Sequence, residues 1–336
     1  MPRQIKYLSP TSIALYNQSP EDFYMRYVSD SPPPRDPQLQ VMSIGSGTDA
    51  RIKSYLHEAL FGKGHKDANK FDFDTLFESQ VEKHNRKWAK EHSLYVFNQY
   101  KSSGCLADIM LELQSAVSEP RFEFDVLGSV HGYREGVEKV LGEVVLMGKP
   151  DCSFVNSEGA VVVLDWKISG YCSTGKTYPK SGYIKLRSAN RTDLGTHKDA
   201  FIITHKGIKI NCTTTLDNVD KDWSSQISCY SWLMGAPVGS DWVAAIDQGC
   251  CSYVANGLPE IKFAQHRMKV SADFQNKLFN RICEIWDTVQ SQHYFRDMSL
   301  EDSIERCKLL DGRAFGVVET ETDDWFMKVT KKERQY

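Results

Sequence analysis

The run Val161-Val162-Val163-Leu164, followed at once by Asp165-Trp166-Lys167, constrains this chain more than any other segment. An unbroken apolar run rich in β-branched residues reads as a strand buried on both faces. Strand side chains alternate, so Asp165 and Lys167 share one face and Trp166 takes the other. Charges at the end of a buried strand need partners. One stands upstream, in Gly148-Lys149-Pro150-Asp151, with Asn156 to Gly159 as the turn between two strands. A hairpin of this kind brings Asp151 beside Asp165. Two carboxylates at one place repel each other and ask for a hard cation such as Mg²⁺. A lysine beside that cation can orient or polarise an attacking water, which is the equipment of metal-assisted phosphodiester hydrolysis. Alone, Asp-x-Lys on a strand also describes solvated faces and ordinary ion pairs.

Other segments give the pair its context. Leu8-Ser9-Pro10-Thr11-Ser12 and Ser19-Pro20-Glu21-Asp22-Phe23 open with a capping serine and a first-turn proline. Gly45-Ser46-Gly47-Thr48-Asp49 stands at a helix start. Gln226 and Tyr230 are four apart and share a helix face with the spacing Trp223, Ile227, Tyr230, Met234. A glutamine and a tyrosine so placed can hold a DNA phosphate or stack on a terminal base. They equally describe a core helix with a polar rim.

In this order the segments resemble the RecB-like exonuclease branch of the PD-(D/E)XK nuclease superfamily, over residues 8 to 235, about two thirds of the chain. Asp151 with Asp165-Trp166-Lys167 corresponds to its Asp…(Asp/Glu)-x-Lys signature, and Gln226 to Tyr230 to its Gln-x-x-x-Tyr helix. Asp49 stands where the family's Gly-x-x-x-His motif has histidine. An alternative alignment puts Arg51 there. The resemblance implies an α/β fold with a central mixed β-sheet flanked by helices, a restriction-endonuclease-like core and a helical N-terminal elaboration. It implies a Mg²⁺- or Mn²⁺-dependent deoxyribonuclease, an exonuclease rather than an endonuclease. Asp151, Asp165 and the main-chain carbonyl of Trp166 would bind metal, with Asp49 completing the shell or acting through water. Lys167 would activate the water, and Gln226 and Tyr230 would hold the strand being cut.

Some members of the branch carry an iron–sulfur cluster on one early and three late cysteines. Here Ser19 holds the early place, and Cys250, Cys251, Cys283 and Cys307 lack tight ligand spacing, so no cluster is expected. Gly170-Tyr171-Cys172-Ser173-Thr174-Gly175-Lys176-Thr177 satisfies the phosphate-loop pattern, and Val243 to Asp247 could supply a Mg²⁺-binding aspartate. A working phosphate loop must open a helix, whereas Pro179 and Gly182 follow here. A phosphate-loop ATPase or GTPase and a non-catalytic DNA-binding member of the nuclease fold stay open as alternatives.

With a net charge of −3 the whole chain is not a polycation, so DNA binding needs a local patch. Residues 169 to 220 read as a basic insertion carrying Lys176, Lys180, Lys185, Arg187 and Arg191, expected to contact DNA. The nine cysteines form neither a zinc pattern nor a disulfide frame. No secretory leader and no membrane span is read, so the expected place is the cytoplasm, with no membrane partner; the resemblance implies a bacterial or phage-infected bacterial cell and DNA as partner. A homo-oligomer and a single-strand-binding or recombination partner are left open.

The expected organisation is one elaborated domain. Its parts are a helical region over 1–120, a nuclease core over 121–295 and a C-terminal extension over 296–336. Helices are expected over 45–61 and 73–92, around Leu106 to Leu113, and from Phe274 to Val289. Strands are expected over 122–166 and 241–270. Ser29 to Gln38, with four prolines, reads as a linker, and the charged tail from Asp323 to Tyr336 as a fraying end.

Overall fold

The computed structural model describes residues 3–122, 124–134, 140–157, 159–175, 185–187, 202–205, 208–211, 214–255 and 257–314. They fall into two compact units, one of 1–35 with 284–336 and one of Asp36–Cys283. In the first, helix α1 (Pro10–Gln18) is capped by Ser9, whose hydroxyl accepts from the Ser12 N–H, and α2 (Pro20–Phe23) by Ser19. A π-helical turn over Tyr24–Val28 follows. The Tyr24 and Ser29 hydroxyls both donate to Asp311, and Arg306 pairs with Glu21, which ties this segment to the C-terminal helix.

The larger unit begins with α3 (Gln40–Phe61), longer at its N-terminus than the amphipathic stretch suggests. The expected 73–92 helix is two helices, α4 (Phe73–Gln80) and α5 (Arg86–Ser102). The break is filled by Gln38. Its backbone N–H donates to Glu82, its side chain donates to the Gln80 carbonyl and accepts from the Glu82 N–H, and its carbonyl accepts from Asn85. A tertiary contact thus satisfies the backbone groups that two helix ends expose. Helix α6 (Cys105–Gln114) follows.

The strands are β1 (Arg121–Phe122), β2 (Val126–Tyr133), β3 (Leu141–Gly148), β4 (Cys152–Val155), β5 (Val161–Ser169), β6 (Lys185–Arg187), β7 (Ile202–His205) and β8 (Ile208–Asn211). Then come α7 (Leu216–Val219), α8 (Lys221–Leu233), β9 (Val243–Ser252), β10 (Glu260–Met268), α9 (Ala272–Ser291) and, in the first unit, α10 (Leu300–Ala314). One mixed sheet runs β1-β4-β5-β9-β10-β8-β7, with β6 also on β10, and β2–β3 is a separate hairpin. The β4–β5 and β9–β10 pairs are antiparallel, and β5 and β9 are parallel. A parallel neighbour needs a crossover connection, and that path contains α8. All ten residues of β9 are buried, as a central strand covered on both faces requires.

Alternation along β5 makes two cores. Val162, Leu164 and Trp166 join Ile52 and Leu56 of α3, Val96 of α5 and Ile109 of α6. Val163 joins Ile227 and Tyr230 of α8. The expected mixed sheet flanked by helices is therefore present, and the helices of residues 40–114 pack directly on it.

Gly148, at the end of β3, carries α8 against the hairpin. A Cβ there would lie 2.7 Å from Tyr230 Cδ1 and 2.9 Å from Leu233 Cδ1. Gly148→Ala is expected to cost about 1–3 kcal/mol by overpacking. It should also shift the Tyr230 ring, measurable as a fall in urea midpoint and a change in near-ultraviolet circular dichroism. An unchanged midpoint would show that the helix yields freely.

Candidate active site

The β4–β5 register pairs Cys152 with Leu164, so the next positions outward are Asp151 and Asp165. Backbone geometry locks this meeting. The Trp166 N–H donates to Asp151 Oδ2 at 3.1 Å. Lys167 emerges beside Asp165, its Nζ 2.6 Å from Asp165 Oδ2, and donates to Gln226 Oε1 at 2.8 Å. Gln226 Nε2 in turn donates to the Tyr230 hydroxyl at 2.9 Å. Carboxylate, ammonium, amide and phenol thus form one chain from β5 to α8. Trp166 points the other way, its indole N–H 3.3 Å from the Tyr100 hydroxyl.

Helix α3 brings two more charged groups. Lys53 Nζ lies 2.8 Å from Asp49 Oδ2 and 3.0 Å from Asp151 Oδ1, and its side chain is only 2 % exposed. Gln80 Nε2 also donates to Asp49 Oδ2, at 3.0 Å. Arg51, the other candidate for the histidine place, turns to α5. It donates to Ser93 Oγ and the Lys90 carbonyl and lies over the Phe73 ring at 4.0 Å. Asp49 is therefore the residue of the two that reaches the carboxylate cluster. Lys53 escaped the sequence reading, although its place four residues after Asp49, on one helix face, was a usable signal.

Burial and charge divide the carboxyls. Burial, reinforced by Asp151, raises Asp165 to about 7 against the pull of Lys167. Burial likewise raises Asp49 to about 7, with Lys53 opposing. Burial would raise Asp151 too, but the Lys53 and Lys167 ammoniums and the Trp166 N–H outweigh it and hold this carboxyl below its usual range. Burial pulls Lys167 down, but Asp165 and Asp151 more than restore it, so it stays charged.

Between about pH 4 and 7 the folded Asp165 and Asp49 hold protons that the unfolded chain has lost, so stability falls as the pH rises. The depressed Asp151 acts only below that window. In chelator, the urea-derived stability should drop from pH 5 to pH 8. Asp165→Asn should shrink that drop by on the order of 1 kcal/mol or more. Equal drops in both proteins would mean that Asp165 ionises normally.

Among the described residues, no group of three or more His, Cys, Asp or Glu side chains is placed to hold a metal ion. A Mg²⁺ site does not need three. Magnesium usually takes one or two carboxylates, keeps several waters and completes its shell with substrate phosphate. Asp151 and Asp165 supply that oxygen set. Asp165 Oδ2, within ion-pair distance of Lys167, receives no aligned hydrogen bond, and Asp49 Oδ1 is buried with no hydrogen-bond partner. An under-satisfied buried carboxylate oxygen beside a second carboxylate fits one such cation.

Lys176, Lys180 and Arg191 lie outside the described residues, and the backbone of Lys185 and Arg187 forms β6 against β10. The described part of the phosphate-loop pattern, Gly170 to Gly175, is a turn after β5, with the Tyr171 hydroxyl 2.8 Å from His92 Nδ1. Its expected Mg²⁺ aspartate, Asp247, is buried and pairs with Arg267 at 3.0 Å. Cys250, Cys251 and Cys283 are buried thiols. No helix among the described residues is long and apolar enough to cross a membrane.

No protein-family model matches the chain, and no curated protein matches it. A solved structure described as "Crystal structure of SSO0001" is similar over 82 % of this chain and 86 % of that one. At 9 % identity and a TM-score of 0.24, that likeness carries no argument.

Proposed function

We propose that this chain is a Mg²⁺- or Mn²⁺-dependent deoxyribonuclease that hydrolyses linear DNA from its ends, on a restriction-endonuclease-like core. The observation that carries the reading is the convergence of four groups: the Trp166 N–H holds Asp151 beside Asp165, and Lys167 pairs with Asp165 while donating to Gln226. Asp151, Asp165 and the Trp166 carbonyl would hold the cation, which when bound polarises a phosphoryl oxygen and lowers the pKa of a coordinated water.

The protein's own groups do the rest. Lys167, anchored by Asp165 and Gln226, holds a charged N–H toward a water or a phosphate oxygen. Its 26 % exposed side chain can reach solvent while its counter-ion stays buried. Gln226 fixes the ammonium and takes its own orientation from the Tyr230 hydroxyl. The Tyr230 hydroxyl stays protonated, because burial raises it and Asp165 and Asp151 add to that, so it can donate to a phosphate. Lys185 and Arg187, with the other basic residues of the insertion, would add attraction for the DNA backbone.

The test uses end-labelled linear and closed circular DNA with Mg²⁺, Mn²⁺ or chelator. Metal-dependent loss of linear DNA with circles spared, abolished in Asp165→Ala, is the expected result. Cutting of circles would make the protein an endonuclease. No cutting with either metal, together with ATP turnover lost in Lys176→Ala, would replace this reading with the phosphate-loop one.

A further inference from the structure

Lys53 has no place in the reading above, and the cost of burying it asks for one. A lysine 2 % exposed, on a helix packed against the sheet, is tolerated only when its charge is matched. Here Asp49 Oδ2 at 2.8 Å and Asp151 Oδ1 at 3.0 Å match it. They belong to α3 and to the loop before β4, so the ammonium is a bridge between two elements. Gln80 holds Asp49 Oδ2 from the other side.

The charge count gives the bridge a consequence. Asp49, Asp151 and Asp165 carry three negative charges when ionised, and Lys53 and Lys167 two positive ones. One divalent cation turns the net −1 into +1, which one phosphate then neutralises. A second cation would leave an excess of +3 before substrate, within a few ångströms of a fixed ammonium. Geometry agrees. Mg²⁺ draws its oxygens to about 2.1 Å, so a cation between Asp49 Oδ2 and Asp151 Oδ1 must displace the Lys53 ammonium that lies within 3.0 Å of both.

Resting on the nuclease reading, we propose that Lys53 is a built-in cation that limits this site to a single divalent metal. The metal sits on the Asp151–Asp165 side, and Asp49 serves as counter-ion to Lys53 rather than as a ligand. Lys53 is thus a positioning residue acting through Asp151. It occupies one carboxylate oxygen and, with the Trp166 N–H on the other, fixes the plane of the carboxylate.

Metal counting tests this without reference to cleavage. The full-length protein is titrated with Mn²⁺, and the free-ion signal is followed by electron paramagnetic resonance, with thermal melts confirming a folded chain. The expected result is one Mn²⁺ per wild-type chain, one in Lys53→Arg, and two in Lys53→Met, where Asp49 and Asp151 both become available. Asp49→Asn should bind one Mn²⁺ within about threefold of the wild-type affinity. Two Mn²⁺ in the wild type, an unchanged count in folded Lys53→Met, or a tenfold or greater loss of affinity in Asp49→Asn would overturn the proposal. Should Lys53→Met fail to fold, the wild-type count and the Asp49→Asn affinity decide. One Mn²⁺ bound with no DNA cleavage would sink the nuclease reading and leave the role of Lys53 standing. No Mn²⁺ binding at all would end both.

Discussion

Lys167→Ala is expected to slow cleavage of linear DNA by on the order of 10²–10³ or more, the usual cost of losing one preorganised electrostatic group. Two changes combine. The charge proposed to face the reacting phosphate disappears, and Asp165, buried at 3 % exposure, loses the ammonium 2.6 Å away. Without it the carboxyl, already raised to about 7 by burial and Asp151, holds its proton still more firmly. The variant should therefore bind metal more weakly at neutral pH and recover part of the loss as the pH rises. Single-turnover rates against pH at saturating Mn²⁺ separate the two contributions. A pH-independent deficit would mean that only the direct contact with phosphate matters. A variant as fast as wild type would remove Lys167 from the chemistry. The fold should tolerate the change, because the side chain is 26 % exposed and lies at the edge of the core.

Arg267→Ala is expected to cost about 3–5 kcal/mol of stability, the range for breaking a buried ion pair by removing one partner. Arg267 Nη1 donates to Asp247 Oδ1 at 3.0 Å, and its Nε and Nη2 reach Glu112 at 3.1–3.3 Å. The Tyr100 hydroxyl donates to Asp247 Oδ2 and receives the Trp166 indole N–H. Alanine would strand the Asp247 carboxylate, 1 % exposed, in the middle of β9. Replacing both, as Asp247→Leu with Arg267→Met, should cost less than the two single changes summed, since no charge is then stranded inside β9 and Glu112, 36 % exposed, keeps access to water. Denaturant unfolding of the four proteins completes that cycle. Strict additivity would show that the pair contributes nothing beyond its parts. The network bears on the site as well, because it anchors Trp166, and Trp166 lies between the two charged residues of β5.

Much of this was legible in the chain. The apolar run before Asp165, the turn at Asn156 to Gly159 and the period of two fix a buried hairpin, and with it the meeting of Asp151 with Asp165. The spacing of Gln226 and Tyr230 fixes a shared helix face. Local patterns suffice for these features because neighbours in sequence carry them.

Other features lie beyond such patterns. Whether the 73–92 stretch is one helix or two depends on Gln38, far upstream, docking at Gln80 to Asn85. Which residue of α3 faces the carboxylates, Asp49 or Arg51, depends on the rotation of that helix, set by its packing against α5, where Gly47 lets Ser93 approach. In sequence Asp247 reads as a candidate Mg²⁺ ligand of the phosphate-loop alternative, and its pairing with Arg267 emerges only when β9 and β10 lie side by side. Sequence alone therefore determined the charged hairpin and the helix face meant to answer it. Only the tertiary structure decided that Lys53 enters from α3 to hold Asp49 and Asp151 together, because a buried charge chooses its partners by distance in space.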